Sequence, residues 1–128
     1  MKYYPQQKLF TQMTMPSNRD KASILDIAQA ASRILEYIEG CDRESFFNDS
    51  KTQSSVMYQI AIIGEATKRL SNEYRNQYSN IPWTLMARMR DKLIHDYDGL
   101  DLERIWITVS QSIPTLLNAL SPLLEDIT

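Results

Sequence analysis

Hydrophobic side chains recur along this chain at intervals of three and four, and four stretches carry the pattern. Ile24, Ile27, Ala28, Ala31, Ile34, Leu35 and Ile38 form the first, and a stripe of that period is one face of an amphipathic helix. Ser17 or Asn18 can cap its start and Gly40 can end it. A polar connection follows, in which Phe46 and Phe47 should tuck onto the core. The second helix should begin after Asp49 or Ser50 and carry Val56, Ile60, Ile63, Thr67, Leu70 and Tyr74 on one stripe. Gly64 lies in its interior, where glycine costs about 1 kcal/mol relative to alanine, so its presence predicts a close backbone approach by a neighbour. Pro82 suits the first turn of a third helix, where its missing N–H would be unpaired anyway, and this helix should run to about Tyr97. Asp98-Gly99 is a turn signal. Asp98 or Asp101 then caps a fourth helix with Leu102, Ile105, Trp106, Val109, Ile113, Leu116, Leu117 and Leu120 on its apolar face. Pro114 should kink or break it, since proline removes a helical bond and clashes with the preceding turn.

No internal repeat, low-complexity tract or strand-like alternation competes with this pattern. It predicts an all-α fold, an antiparallel four-helix bundle with an additional N-terminal arm and a kinked or broken C-terminal helix. Residues 1–16 should be the arm, flexible or preceding a biological start at Met13 or Met15, and residues 17–128 a single helical domain. Composition agrees with one globular unit: 128 residues, 43% hydrophobic and 23% charged, with three glycines, too few for a turn-rich sandwich or barrel. A single cysteine, Cys41, cannot form an internal disulfide, which points to a reducing compartment. Neither a signal-peptide core nor an apolar run of about 18 residues is present, so the expected location is the cytoplasm, with no membrane partner. Fourteen basic against sixteen acidic side chains give a net charge of −2, so any attraction to nucleic acid must be local.

Chemistry concentrates between Arg90 and Tyr97. The stripe of the third helix runs through Trp83, Met86, Ala87, Arg90, Leu93, Ile94 and Tyr97, which puts a guanidinium in the middle of an apolar face. A charge there needs an anionic partner, and Glu65 on the second helix or the adjacent Asp91 can supply it. A structural ion pair accounts for Arg90 without any function. His95 is the chain's one histidine, and surface or structural duty is the ordinary role of such a residue. Asp91 precedes it by four residues, so its carboxylate could orient the imidazole and raise its pKa, which suits an acid/base. Five residues of ideal helix put Arg90 and His95 about 140° apart; they converge only if the helix ends near His95 or a second protomer completes the site. Asp96, Asp98 and Asp101 invite comparison with a calcium loop but lack its length, ligand order and closing glutamate; turn and cap explain them, and a Mg²⁺-dependent nuclease built on these carboxylates is the metal-based alternative. No phosphate-cradling glycine loop, nucleophile elbow or Cys-x-x-Cys pair occurs.

The run Arg90-x4-His95-x-Tyr97 is similar to the R-x4-H-x-Y signature of HEPN domains, with a polar residue, Asp91, directly after the arginine. Ile62-Ile63-Gly64-Glu65-Ala66-Thr67-Lys68-Arg69-Leu70 resembles the second-helix signature of the HepT-like branch, Ile81-Pro82-Trp83 its entry to the third helix, and Asp101-Leu102-Glu103-Arg104-Ile105-Trp106 the start of its fourth. The resemblance covers roughly residues 18–120. It implies the toxin of a type II-like toxin–antitoxin pair, a metal-independent endoribonuclease without cofactor that works as a homodimer. It also implies a minimal nucleotidyltransferase antitoxin that adds AMP to the motif tyrosine, here Tyr97.

On that reading Arg90 and His95 are catalytic and Asp91 and Tyr97 support them. RNA carries its own nucleophile, so cutting needs activation of a 2′-hydroxyl, stabilisation of phosphoryl charge and protonation of the leaving 5′-oxygen. His95 can move protons near neutral pH and Arg90 can hold the scissile phosphate with its planar fork. Tyr97 can position the phosphate or stack on a base, and Arg88 and Lys92 can form an RNA-binding rim. With one histidine per chain, an acid–base pair of histidines requires a second protomer. The rival readings are a catalytically inactive HEPN-like binding partner of a nucleotidyltransferase and a bundle with a purely structural dimer role.

Overall fold

The structure, a computed structural model, describes residues 16–95, 99 and 101–127. The expected arm of residues 1–16 therefore lies almost wholly outside the described residues, as do Asp96, Tyr97 and Asp98. The described residues form helices and turns with no strand: α1 (Asn18–Tyr37), α2 (Arg43–Phe47), α3 (Ser50–Arg69), α4 (Asn72–Gln77), α5 (Trp83–His95), α6 (Leu102–Ile107), a π-helical turn over Thr108–Ser112, and α7 (Ile113–Ile127). The four long helical segments are those the periodicity predicts.

Their starts are written locally. Ser17 caps α1 by accepting from the Asp20 N–H, Asp49 caps α3 by accepting from Thr52 N–H, and Asp101 caps α6 by accepting from the N–H groups of Glu103 and Arg104. Each satisfies donors that a helix start leaves orphaned. Gly40 follows α1 with φ of 78°, the left-handed region that glycine enters without steric cost. The expected connection around Phe46 contains a short helix, α2, opened by a capping box between Asp42 and Ser45. Phe46 is fully buried and stacks 5.2 Å from Trp106, so α2 acts as a plug between α3 and α6.

The second helix ends earlier than its stripe suggests. Leu70 and Tyr74 are both buried, but Leu70 is extended and Ser71 begins a new helix, α4, as its cap. The break is tied down from a distance: buried Asp20 accepts from the N–H and the hydroxyl of Ser71, both at 2.8 Å. The two oxygens of one carboxylate thereby satisfy polar groups that a continuous helix would have paired otherwise.

α1 and α3 form the centre of the bundle, α5 packs on α3 and α7 on α1. Asp20, near the start of α1, bonds Ser71 just past the end of α3, while Tyr37 at the end of α1 accepts from Gln59 in the middle of α3, so those helices run antiparallel. Ile24, Ile27, Ile34, Val56 and Leu120 are fully buried between them, each contributing roughly 1.5–3 kcal/mol by area removed from water. The irregularity expected at Pro114 takes the form of the π turn immediately before it. A proline ring crowds the carbonyl four residues back, here that of Ser110, and a wider turn relieves the crowding. Hydroxyls of Thr108 and Ser110 donate to the carbonyls of Arg104 and Trp106, a pattern that bends helices. Pro122 lies inside α7 on its exposed side and is tolerated without a break.

Candidate active site

The site begins with a missing side chain. A Cβ built on Gly64 of α3 would lie 2.1 Å from the Cβ of Arg90 and 3.0 Å from the carbonyl oxygen of Met86, so glycine at this position lets α5 press directly onto α3. The close approach predicted from Gly64 is therefore real, and the group that fills the space is the stem of Arg90. Anchored there, its half-buried side chain extends along α3, where the guanidinium meets Glu65 at 3.1 Å and Asp91 at 3.2 Å. Both carboxylates foreseen as partners are engaged at once.

Lys68, one turn beyond Gly64, completes the cluster. Its ammonium lies 2.5 Å from the same Asp91 oxygen that Arg90 uses. Lys68, ahead of Arg90, holds the Asp91 carboxyl below the usual aspartate range. Glu65, Lys68, Arg90 and Asp91 thus alternate in sign and sum to zero. All but Arg90 are more than a third exposed, so the pairs are worth little as stability and matter for orientation. The guanidinium has five N–H donors, of which these two carboxylates occupy part, leaving it able to share a phosphate. Lys68 is the site residue that sequence reasoning missed. Its signal was its position four residues after a helix-interior glycine, on the face that α5 covers.

A depressed folded-state pKa at Asp91 means stabilisation that is full above the ordinary aspartate value of about 3.9 and is lost as pH falls through the lower folded value. Thermal melts taken from about pH 5 downward should show a decline in Tm that is shallower in Asp91→Asn than in the parent chain. Parallel declines would remove Asp91 from this account.

The structure does not bring His95 to Arg90. His95 ends α5 as an exposed residue, and it makes no side-chain hydrogen bond or ion pair to another described residue. The expectation that Asp91 orients the imidazole is corrected: its Oδ1 is taken by Lys68 and Arg90, and no hydrogen bond joins it to His95. Because α5 stays helical to His95, the 140° separation of an ideal helix persists, and within one chain Arg90 and His95 occupy different faces. Arg88 and Lys92 are exposed and border a groove toward α6. Tyr97 lies outside the described residues, so its expected supporting role has no geometry here. Among the described residues no three His, Cys, Asp or Glu side chains gather as around a metal ion; two of the three aspartates behind the Mg²⁺ alternative, Asp96 and Asp98, are outside them. No described helix is long and apolar enough to cross a membrane.

A family model described as ribonuclease HepT-like matches residues 27–123. A Thermococcus cleftensis protein named as a probable ribonuclease HepT is 46% identical over 91 residues, covering 71% of this chain and 83% of that protein. A Methanocaldococcus jannaschii protein whose name marks it as a candidate RNase is 35% identical over 113 residues, covering 88% of this chain and 93% of the relative. Another such candidate, from Caldanaerobacter subterraneus subsp. tengcongensis, is 36% identical over 99 residues, with 77% and 88% covered. No solved structure gives a significant match.

Proposed function

The chain belongs to the HepT-like ribonuclease family, and from that premise we propose that it is a metal-independent endoribonuclease whose site forms where two copies meet. The observation that carries the reading is the placement of Arg90: a guanidinium seated on Gly64, oriented by Glu65 and Asp91, with donors to spare, on the helix that ends in the chain's one histidine.

In the proposed reaction the 2′-oxygen attacks phosphorus as a base removes its proton. The P–O5′ bond breaks, and the 5′-oxygen leaves with a proton from an acid, giving a 2′,3′-cyclic phosphate and a 5′-hydroxyl. Arg90 neutralises the charge that gathers on the non-bridging oxygens. His95 serves as one proton carrier, and the histidine of the second copy as the other. Asp91 supports Arg90 by holding its fork. The dimer has physical support beside Arg90. Tyr58 and Ile94 are 66% and 50% exposed, and with Met57, Ala61 and Leu93 they border a shallow apolar hollow. Ile94 lies one turn from Arg90, so a second copy seated on this patch would lie next to the guanidinium and bring a histidine with it.

Toxin duty in a toxin–antitoxin pair, a cytoplasmic location and AMP addition to Tyr97 by a partner nucleotidyltransferase complete the proposal. A nucleotide on Tyr97, seven residues from Arg90, would add negative charge and bulk where RNA must bind. The alternative, an inactive binding partner of such an enzyme, draws on the fact that Arg90 and His95 do not converge in one chain. Incubating the purified chain with RNA and excess chelator separates the readings: cutting to cyclic-phosphate ends is expected from a dimer in solution. Intact RNA favours the binding partner, and cutting only with added Mg²⁺ favours the carboxylates.

A further inference from the structure

The groove between α5 and α6 has a cavity of about 410 Å³, within the roughly 300–1,000 Å³ of sites that take small organic groups. Three cations border it: Arg88 and Lys92 from α5 and Arg104 from α6. All three are exposed, and none forms an ion pair or a side-chain hydrogen bond with another described residue. Among the described residues that line it, the acidic one, Asp101, spends its carboxylate on capping α6, where it accepts from two backbone N–H groups. Met89, Leu93 and Ile105 form an apolar floor. On a chain of net charge −2, three cations without an ionic partner among the described residues surround one apolar trough, a lining whose chemistry suits a polyanion with apolar faces.

Helix geometry connects this groove to His95. Around α5, His95 is about 20° from Arg88 and about 60° from Lys92, whereas it is about 140° from Arg90. The face that carries the histidine is therefore the face that carries Arg88 and Lys92. Arg90, by contrast, is turned to α3, where Glu65 and Asp91 orient it. We propose that the α5–α6 groove is the path of single-stranded RNA leading to His95. Arg88, Lys92 and Arg104 hold its phosphates, and one unstacked base lies on the Met89, Leu93 and Ile105 floor. Arg104, to which the sequence assigns no role, is on this account an RNA-binding residue supplied by a different helix. The inference rests on the ribonuclease reading and extends it by stating where the strand runs and that it is single-stranded, since only an unpaired strand can lay a base into the trough.

The test is binding, measured apart from cutting. A fluorescent single-stranded oligoribonucleotide of about 12 nucleotides is titrated into full-length His95→Ala and into the same chain carrying Arg104→Ala, Arg104→Glu or, as a charge control on the exposed side of α1, Arg33→Glu. Arg104→Glu should weaken binding about tenfold or more. Arg104→Ala should lower the slope of log affinity against log salt by about 0.7, the value for one phosphate contact to a single strand. Arg33→Glu should bind as the parent does, and thermal melts should overlay. Unchanged affinity and slope in Arg104→Glu, or an equal loss in Arg33→Glu, overturns the groove. If wild-type chain still cuts RNA in that case, the ribonuclease reading stands without it. A chain that neither binds the oligonucleotide nor cuts RNA overturns both.

Discussion

Arg90→Ala is expected to lower RNA cutting by about 10²–10³-fold, the loss typical of removing one preorganised charge-stabilising group, while the chain stays folded. The fold should tolerate the change because the ion pairs of Arg90 are exposed on their acidic side and worth little to stability. Truncation would nevertheless leave Glu65 without its cation and Asp91 with Lys68 alone, so the local charge would swing from zero to −1 where a phosphate must approach. Arg90→Lys separates the two contributions. It restores the charge but lacks the planar fork that grips two oxygens, so partial recovery is expected, short of the parent by an order of magnitude or so. Cutting rates on a defined oligoribonucleotide, with melting curves on the same samples, check both. Full activity in Arg90→Ala would mean that the cluster on α3 is structural only.

Gly64→Val is expected to disrupt the α3–α5 contact and activity together. Intrinsic helix preference argues the other way, since replacing an interior glycine gains a few tenths of a kcal/mol for valine and up to about 1 kcal/mol for alanine. Sterics decide. The new Cβ would lie 2.1 Å from the Arg90 Cβ and 2.8 Å from its Cγ, and both are stem atoms held by the backbone of α5 rather than a flexible tip. α5 must move outward, and overpacking of this kind typically costs 1–3 kcal/mol. Gly64→Ala already places the offending Cβ, so it should lose stability in urea titrations despite its better propensity, and valine should lose more. Because Arg90 is the displaced side chain, cutting should fall with the packing. A Gly64→Ala chain as stable and as active as the parent would show that the contact relaxes freely.

The fold was legible where the determinants are local. Ser17, Asp49 and Asp101 each stand directly ahead of an apolar stripe and accept from backbone N–H groups two or three residues on, which is information a short window contains. Gly64 was legible because an unfavourable residue in a helix interior asks for a compensating contact. The end of α3 was not, because Leu70 and Tyr74 continue the stripe. What breaks the helix is a bond from Ser71 to Asp20, 51 residues away. Spacing likewise showed that Arg90 needs an anion but not that Glu65 and Asp91 share it, nor that Lys68 holds Asp91 from across the helix pair. The groove with Arg104 depends on how α6 lies against α5. His95 was the informative case, since its angular separation from Arg90 was readable in advance and helical geometry to the last residue of α5 preserves it.

In the proposed reaction that histidine is the one proton carrier each chain supplies, so it is the residue to test first. The most direct measurement is the rate at which purified His95→Ala cuts a defined oligoribonucleotide in the presence of chelator, beside wild-type chain at equal concentration and with matched circular dichroism. Cutting by the wild type is expected, with a loss of about 10²–10⁴-fold in the variant, the range for removing a positioned acid or base. A folded His95→Ala chain that cuts RNA as fast as its parent would contradict that role for His95.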